Sequence, residues 1–516
     1  MWNSIYPYVY LALLMSILAW FYTDYKAERE KKTWAKLSFW ASAITYAITM
    51  FQTEFSFFYK ILGMLPRDIG VILGLALIAN NLKSSRGFFI TAIAAGLGTY
   101  LLFSSFVPDT YQKYFGVSSS ATRRLDKDAE LLIDMKNVGD AEKVRKILAQ
   151  YNATLSPAFP DLKNKSFSEL DDFFVINLPN NDEAILQKVK TVLQNEGYAD
   201  AIEYNEMVSL SPLEKQSVSA KKNARKYPLD DPQIDQLWSF EAMKMDEFYQ
   251  YIKEKGIKPR KKVKIAILDT GIDSEHEDIK AKYTSTRSEY NKDKQSHGTH
   301  CAGIAASVSN NGVGIASFSP NNNFVTVTSI KVLSDEGWGT DAGIIRGIIE
   351  AADGGADVIS MSLGGYSNDD KQRAFSEAVR YAQKSGAIVI VAAGNESTDA
   401  RKVSPANAEG VIVVSAVDAQ LKMATFSNYI THLKMGIAAP GVEILSTTPN
   451  NSYAAYSGTS MATPYVAGLV AMMKSIRPEL TTEQVYAILK NTGIDTGDTD
   501  KTGKFIQPLK VIQALQ

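Results

Sequence analysis

From about residue 230 onward, short and nearly continuous apolar runs alternate with longer segments of helical periodicity. VKIAILDTG, FVTVTSIKVL, ADVISMSLG, AIVIVAAGN and GVIVVSAVD read as buried strands, and AGIIRGIIEAAD and KQRAFSEAVRYAQKS as helices between them. Buried strands alternating with helices predict a parallel sheet covered on both faces, a doubly wound α/β fold over residues 229–516. Residues 125–212 carry another pattern. ELLIDMK predicts a strand, DAEKVRKILAQYN an amphipathic helix, ATLSPAF and DDFFVINLP two strands, DEAILQKVKTVLQNEG a helix and AIEYNEMVSL a last strand. The order βαββαβ predicts a small ferredoxin-like domain. Residues 213–228 are polar, charged and aperiodic, which predicts an exposed linker.

The first 110 residues are patterned as a membrane domain. Residues 1–23 carry no charged side chain, and residues 4–22 are long enough to cross a bilayer, which takes about 20 apolar residues. Residues 37–53 and 87–108 are further uncharged candidates, and the run at 69–82 has only 14 residues. Four spans are expected, with three as the alternative. A signal peptide is the competing reading of residues 1–23, but no basic segment precedes them and no small-residue cleavage site follows. Lys26, Arg29, Lys31, Lys32 and Lys36 follow the first run, and Lys83 and Arg86 precede the last. The bias of basic residues toward cytoplasmic loops then places both chain ends outside the cytoplasm of a multi-pass cell-membrane protein.

Composition removes some functions. Lysine and arginine number 55 against 56 acidic residues, so charge offers nothing to a nucleic acid. The single Cys301 excludes an internal disulfide and a cysteine-cluster metal site. All four histidines, His276, His297, His300 and His432, lie in the second half, and the apolar runs hold no mid-span acidic pair, which argues against intramembrane proteolysis.

The candidate chemistry falls where strands end and helices begin, the usual ligand side of an open α/β sheet. Asp269 ends VKIAILDTG, Asn395 ends AIVIVAAGN, His297 opens HGTHCAGIAA, and Ser460 lies in SGTSMATPYVAG at a helix start. Each has an ordinary explanation: a turn-forming Asp, a helix-capping Ser. Together they supply an orienting acid, an imidazole base, a nucleophile and an amide donor.

These motifs, AILDTGID, HGTHCAG, AAGN and GTSMATP, in this order, resemble those of the subtilisin-like serine proteases over roughly residues 230–516. The resemblance implies a serine endopeptidase working through an acyl-enzyme, with Asp269 orienting His297, His297 as base, Ser460 attacking, and Asn395 with the Ser460 N–H holding the oxyanion. It implies that Ser362, Leu363 and Gly364 form one substrate-binding edge and Gly337, Trp338 and Gly339 the other, so that a protein or peptide substrate binds between them as an extended strand. Trp338 reads equally as a surface aromatic between turn glycines. Asp278 and Asn311, with Asp231, match an oxygen-ligated calcium site of the family; ordinary loop residues are the alternative. The βαββαβ domain resembles the family's propeptide, an intramolecular inhibitor whose last strand enters the cleft, so a self-processing zymogen anchored in the lipid bilayer is expected. A catalytically silent membrane receptor or regulatory binding protein on the same fold is the alternative, against which all four catalytic positions are filled.

Overall fold

The computed structural model describes residues 13, 16, 29–52, 125–179, 183–210, 226–367 and 373–516. It divides into two compact units, Met1–Thr122 and Arg123–Gln516. In the first, α1 (Arg29–Gln52) opens with charged residues and exposes Trp34, Leu37, Trp40 and Ile44. The helix thus starts well before the expected span at 37–53. Among the described residues no helix is long and apolar enough to cross a membrane. That span is therefore not supported as one, because its apolar run continues a charged helix. The runs at 69–82 and 87–108 lie outside the described residues, as does that at 4–22 apart from residues 13 and 16.

The second unit begins with β1 (Leu131–Met135), α2 (Ala141–Ala149), β2 (Thr154–Pro157), β3 (Phe173–Asn177), α3 (Glu183–Asn195) and β4 (Ala199–Tyr204). The strands form an antiparallel sheet in the order β2-β3-β1-β4. Both faces of this sheet are covered, which is why β1 is buried throughout although its side chains alternate between them. Leu131, Ile133 and Met135 pack with Val144 and Leu148 of α2 and Leu186, Val189 and Leu193 of α3. Leu132 joins a different apolar cluster, shared with the larger sheet. The stretch expected as one last strand, AIEYNEMVSL, is two. β4 ends at Tyr204, the buried Asn205 turns its amide onto the Ala129 carbonyl at 2.7 Å, and β5 (Met207–Ser209) joins another sheet.

The larger sheet is parallel and six-stranded. It contains β6 (Val263–Asp269), β7 (Val325–Lys331), β9 (Val358–Met361), β11 (Ile388–Ala392), β13 (Ile412–Val417) and β14 (Gly436–Pro440), in the order β14-β13-β11-β9-β6-β7. Two short pairs lie outside it: β8 (Trp338–Thr340) with β5, and β10 (Gly365–Tyr366) with β12 (Val403–Ser404). The helices that matter for the site are α4 (His297–Ala306), α5 (Asp341–Asp353), α6 (Arg373–Lys384) and α7 (Thr459–Ile476). All ten residues of α4 are buried, and in the 18-residue α7 every residue except Ser460 is buried. Such helices carry no amphipathic stripe because protein surrounds them.

The antiparallel sheet sits at the starts of α5 and α6, whose first N–H groups have no partner within the helix. The Asn205 side-chain oxygen accepts from Ala342 N–H at 2.9 Å, and Glu203 accepts from Arg373 N–H at 2.6 Å. Arg373 then extends to two acids of the small domain, Asp134 at 2.6 Å and Glu169 at 2.9 Å. Burial pushes the Asp134 carboxyl up to about 7, against the pull of the Arg373 charge. Replacing Arg373 with Met leaves Asp134 buried without its cation. The expected cost is about 1–3 kcal/mol, between the values for exposed and buried pairs. It should appear as faster hydrogen exchange in β1–β4, and unchanged exchange would mean that the pair contributes nothing to docking.

Candidate active site

Three adjacent strands, β11, β9 and β6, bring their carboxyl ends to one place. Asp269 closes β6, Ser362 follows β9, and Asn395 follows β11. The start of α7 lies against these ends. Ser460 and Ser362 exchange hydrogen bonds: the Ser362 hydroxyl donates to the Ser460 carbonyl at 2.8 Å, and the Ser460 hydroxyl donates to the Ser362 carbonyl at 3.2 Å. The Asn395 side-chain oxygen accepts from Thr459 N–H at 2.9 Å and from its hydroxyl at 3.0 Å. With its oxygen so occupied, the amide presents its NH₂ group away from Thr459.

His297 is held from the other side. Its Nδ1 lies 2.8 Å from each oxygen of Asp269, with both side chains essentially inaccessible. Glycine permits this approach: a methyl at Gly298 would collide with the Gly271 carbonyl on the turn after β6. Asp293, four residues before His297, completes the support. One of its oxygens accepts from the Thr270 hydroxyl and from the N–H groups of Gln295 and Ser296, the other from the N–H and hydroxyl of Thr299, all within 3.0 Å. That turn holds Ser296 at φ 70°, a left-handed conformation uncommon for serine, just before α4 begins. The signal for Asp293 was its place in KDKQSHGTH, but its partners Thr270 and Thr299 are not visible as partners in a string.

The imidazole feels two opposed effects. Burial pushes its pKa down, but the charge and hydrogen bond of Asp269, with Asp293 behind, outweigh this and leave it above the ordinary value. The buried neighbour Cys301 has its thiol pushed well above its ordinary value by burial, so it stays protonated, and its sulfur lies 3.5 Å from the Ser460 carbonyl. The Ser460 hydroxyl itself points to Ser362 and not to His297. Such contacts often form only once substrate is bound.

The two expected substrate edges are differently engaged. β8 pairs with β5: Ser209 opposes Trp338, Val208 opposes Gly339, and Leu210 N–H donates to the Gly337 carbonyl at 3.1 Å. Along the other edge Leu363 is buried, and a methyl on Gly364 would press on the Ser404 carbonyl. It is Gly365, one residue beyond the expected set, that faces Val208, so that a methyl there would lie 3.6 Å from a Val208 methyl. The chain's own segment 207–210 therefore occupies the β8 edge.

The chain that carries this arrangement is similar to known proteins. The family profile described as the subtilase family matches residues 260–507. Subtilisin DY of Bacillus licheniformis is 41% identical over 249 residues, which is 47% of this chain and 87% of that protein. The chain belongs to the subtilase family. Thermitase of Thermoactinomyces vulgaris is 39% identical over 234 residues, 44% of this chain and 80% of that one. Among solved structures, a protease of Pseudoalteromonas arctica PAMC 21717 matches at 27% identity and a TM-score of 0.50, covering 56% of this chain and 99% of that chain. This subtilase is a serine-type endopeptidase.

Away from Ser460 and His297, the three expected calcium ligands converge. Asp278 accepts from the Asn311 side-chain NH₂ at 3.0 Å and from Ile315 N–H at 2.8 Å. Asp231 accepts from the N–H groups of Asn310 and Asn311. Burial pushes the Asp278 carboxyl up to about 8 and raises that of Asp231 as well. Two buried carboxylates and an amide fit a hard cation chemically, but the Asn311 amide would have to turn its oxygen toward it. His276 beside this cluster is fully buried, and its Nδ1 accepts from Asp278 N–H at 3.1 Å.

Removing the Asp269 charge should reveal what it does to His297. In Asp269→Asn the imidazole keeps its burial and loses its anion, so its pKa should fall from above the ordinary ~6.5 to below it. Histidine NMR titration checks this, and an unshifted pKa would mean that Asp269 does not set the charge state of His297.

Proposed function

We propose that this subtilase hydrolyses peptide bonds through Ser460, His297, Asp269 and Asn395. The supporting observation is that Ser460 is the one position of α7 left unburied, on the same sheet edge as an imidazole whose Nδ1 is already taken by Asp269. With Nδ1 occupied, Nε2 is the ring atom left to take the Ser460 proton as the hydroxyl attacks, and to return it to the leaving amine. Oxygen charge that develops at the carbonyl meets the Asn395 NH₂ and the Ser460 N–H. Because Thr459 holds the Asn395 oxygen, this donor needs no reorganisation at the moment of attack. Substrate binds as an extended strand against Gly337, Trp338 and Gly339, with Ser362, Leu363 and Gly364 as the opposite edge.

The small domain is read as an intramolecular inhibitor. Support comes from β5, which already makes the main-chain pairs on β8 that a substrate strand would make. The chain is then a zymogen, and cutting between about Leu210 and Tyr227 frees the cleft. The bilayer anchor and the extracytoplasmic placement rest on the uncharged runs of the first 110 residues and on their basic flanks. Calcium is proposed at Asp231, Asp278 and Asn311, where it would supply counter-charge to two buried acids and tie the 310–315 loop to the body of the domain.

Labelling with a serine-directed fluorophosphonate tests the core of this reading. Ser460→Ala should lose labelling and several orders of magnitude in hydrolysis, as established for subtilisin itself. Hydrolysis that survives would displace Ser460 as nucleophile. Asn395→Ala should lose about 10²–10³-fold in kcat with KM little changed, a magnitude also established on subtilisin; a change confined to KM would make the amide a substrate contact. Wild type should convert from the 56.7 kDa chain to a shorter fragment starting in the linker, and Ser460→Ala should not. Identical migration of the two would rule out self-processing.

A further inference from the structure

One hydrogen bond sets the alternation of the β5–β8 ladder. Leu210 N–H donates to the Gly337 carbonyl at 3.1 Å, which makes Leu210 and Gly337 a hydrogen-bonded pair. Val208 and Gly339, two residues along each strand, form the next such pair. Ser209 and Trp338 stand directly opposite each other between them. They are therefore a non-hydrogen-bonded pair, the kind in which Cα atoms lie about 4.5 Å apart and the two side chains come closest.

The two faces of this ladder are unlike. Val208 is buried between glycines: Gly339 opposite it, where a methyl would strike the Val332 carbonyl, and Gly365 on its other flank. Ser209 points to the opposite face, as the period of two requires. There its cross-strand neighbour is an indole, and both residues are only half-buried. Of the three residues along this edge, Gly337, Trp338 and Gly339, only Trp338 has a side chain to offer. The hydroxymethyl of a serine covers little of it.

We propose that Trp338 selects substrates that carry an aromatic or β-branched residue at the position filled by Ser209 in the intact chain. This rests on the reading above, in which a substrate strand takes the place of β5 on β8. Aromatic–aromatic and aromatic–β-branched pairs across an antiparallel ladder stabilise it more than small partners do. The chain's own strand has serine at that position and leaves the gain unused. The segment read as the inhibitor is thus built with one contact fewer than a good substrate, which favours its replacement after cutting.

Two measurements test this. The first uses the full chain carrying Ser460→Ala, to prevent autolysis, with Ser209→Phe, Trp338→Ser or both added. Hydrogen exchange at the amides of residues 207–210 should slow about 1.5- to 5-fold in Ser209→Phe, the range of one cross-strand pair. Added to Trp338→Ser, the same change should slow nothing. No slowing with the indole present, or equal slowing without it, would overturn the proposal. The second measurement gives the wild-type enzyme a mixed peptide library and reads the cut sites by mass spectrometry. Aromatic and β-branched residues should be enriched about 1.5- to 5-fold at one position. Trp338→Ser should remove that enrichment, and Trp338→Phe, which keeps a ring, should retain it. If Trp338→Ser cuts nothing, the exchange measurement decides. A profile unchanged by Trp338→Ser would overturn the proposal and leave the peptidase reading intact. Absence of cutting by the wild type would overturn both.

Discussion

The burial of α7 on all sides is the constraint from which the active site follows. It packs against α4 and against strands of the parallel sheet, and all but one of its residues are shielded from solvent. A helix enclosed in this way can present a functional group only at an end. Its start lies at the carboxyl edge of the sheet, where the first N–H groups of a helix lack partners and its dipole is positive. Ser460 is placed there. Thr459, one residue earlier, spends its N–H and hydroxyl on Asn395, and the Ser460 carbonyl is held by Ser362. Ser460 and the Asn395 amide are thus positioned by the same backbone turn, between strand ends that cannot move without disturbing the sheet.

The small domain uses the same physical device. Helix starts at α5 and α6 need acceptors, and the segment from Glu203 to Asn205 provides them. Asn205 does two jobs: it ends β4 by bonding to Ala129, and it caps α5. Because the sheet ends there, the next residues are free to leave it and pair with β8. The attachment of the small domain and its pairing with β8 are therefore one structural event, turning on a buried asparagine.

Much of this was readable in the sequence, for a definite reason. Buried parallel strands are nearly continuous apolar runs, so their ends are sharp, and Asp269 and Asn395 stand at those ends. Ser460 was readable because small residues and a proline crowd the first turn of an otherwise apolar helix. The features that escaped depended on partners distant in the chain. Asn205 gives no local sign that it would split AIEYNEMVSL, since its side-chain partners, the Ala129 carbonyl and the Ala342 N–H, are distant in the chain. Lys282 looks like a surface lysine in DIKAKY until Ser307 and Ser317 fold over it. Residues 37–53 read as a span by their lack of charge, whereas the helix that contains residues 37–52 begins with the charged residues before position 37.

Buried acids in this subtilase are joints between distant segments, and the kind of partner each has matches its task. Asp293 collects five N–H and O–H donors and freezes the turn before His297. Asp134 meets a guanidinium from the start of α6, an interaction that separates cleanly if the two sheets part. Asp278 relies on the Ile315 N–H and the Asn311 amide, and burial pushes its carboxyl up to about 8. Asp269 is different again. Apart from the adjacent Thr270 N–H at 2.8 Å and a longer contact to its hydroxyl, both its oxygens face Nδ1 of His297. A carboxylate surrounded by fixed donors, as Asp293 is, would have its charge spent before an imidazolium formed. By giving Asp269 few other donors, the fold leaves both its oxygens to His297, the base of the proposed mechanism.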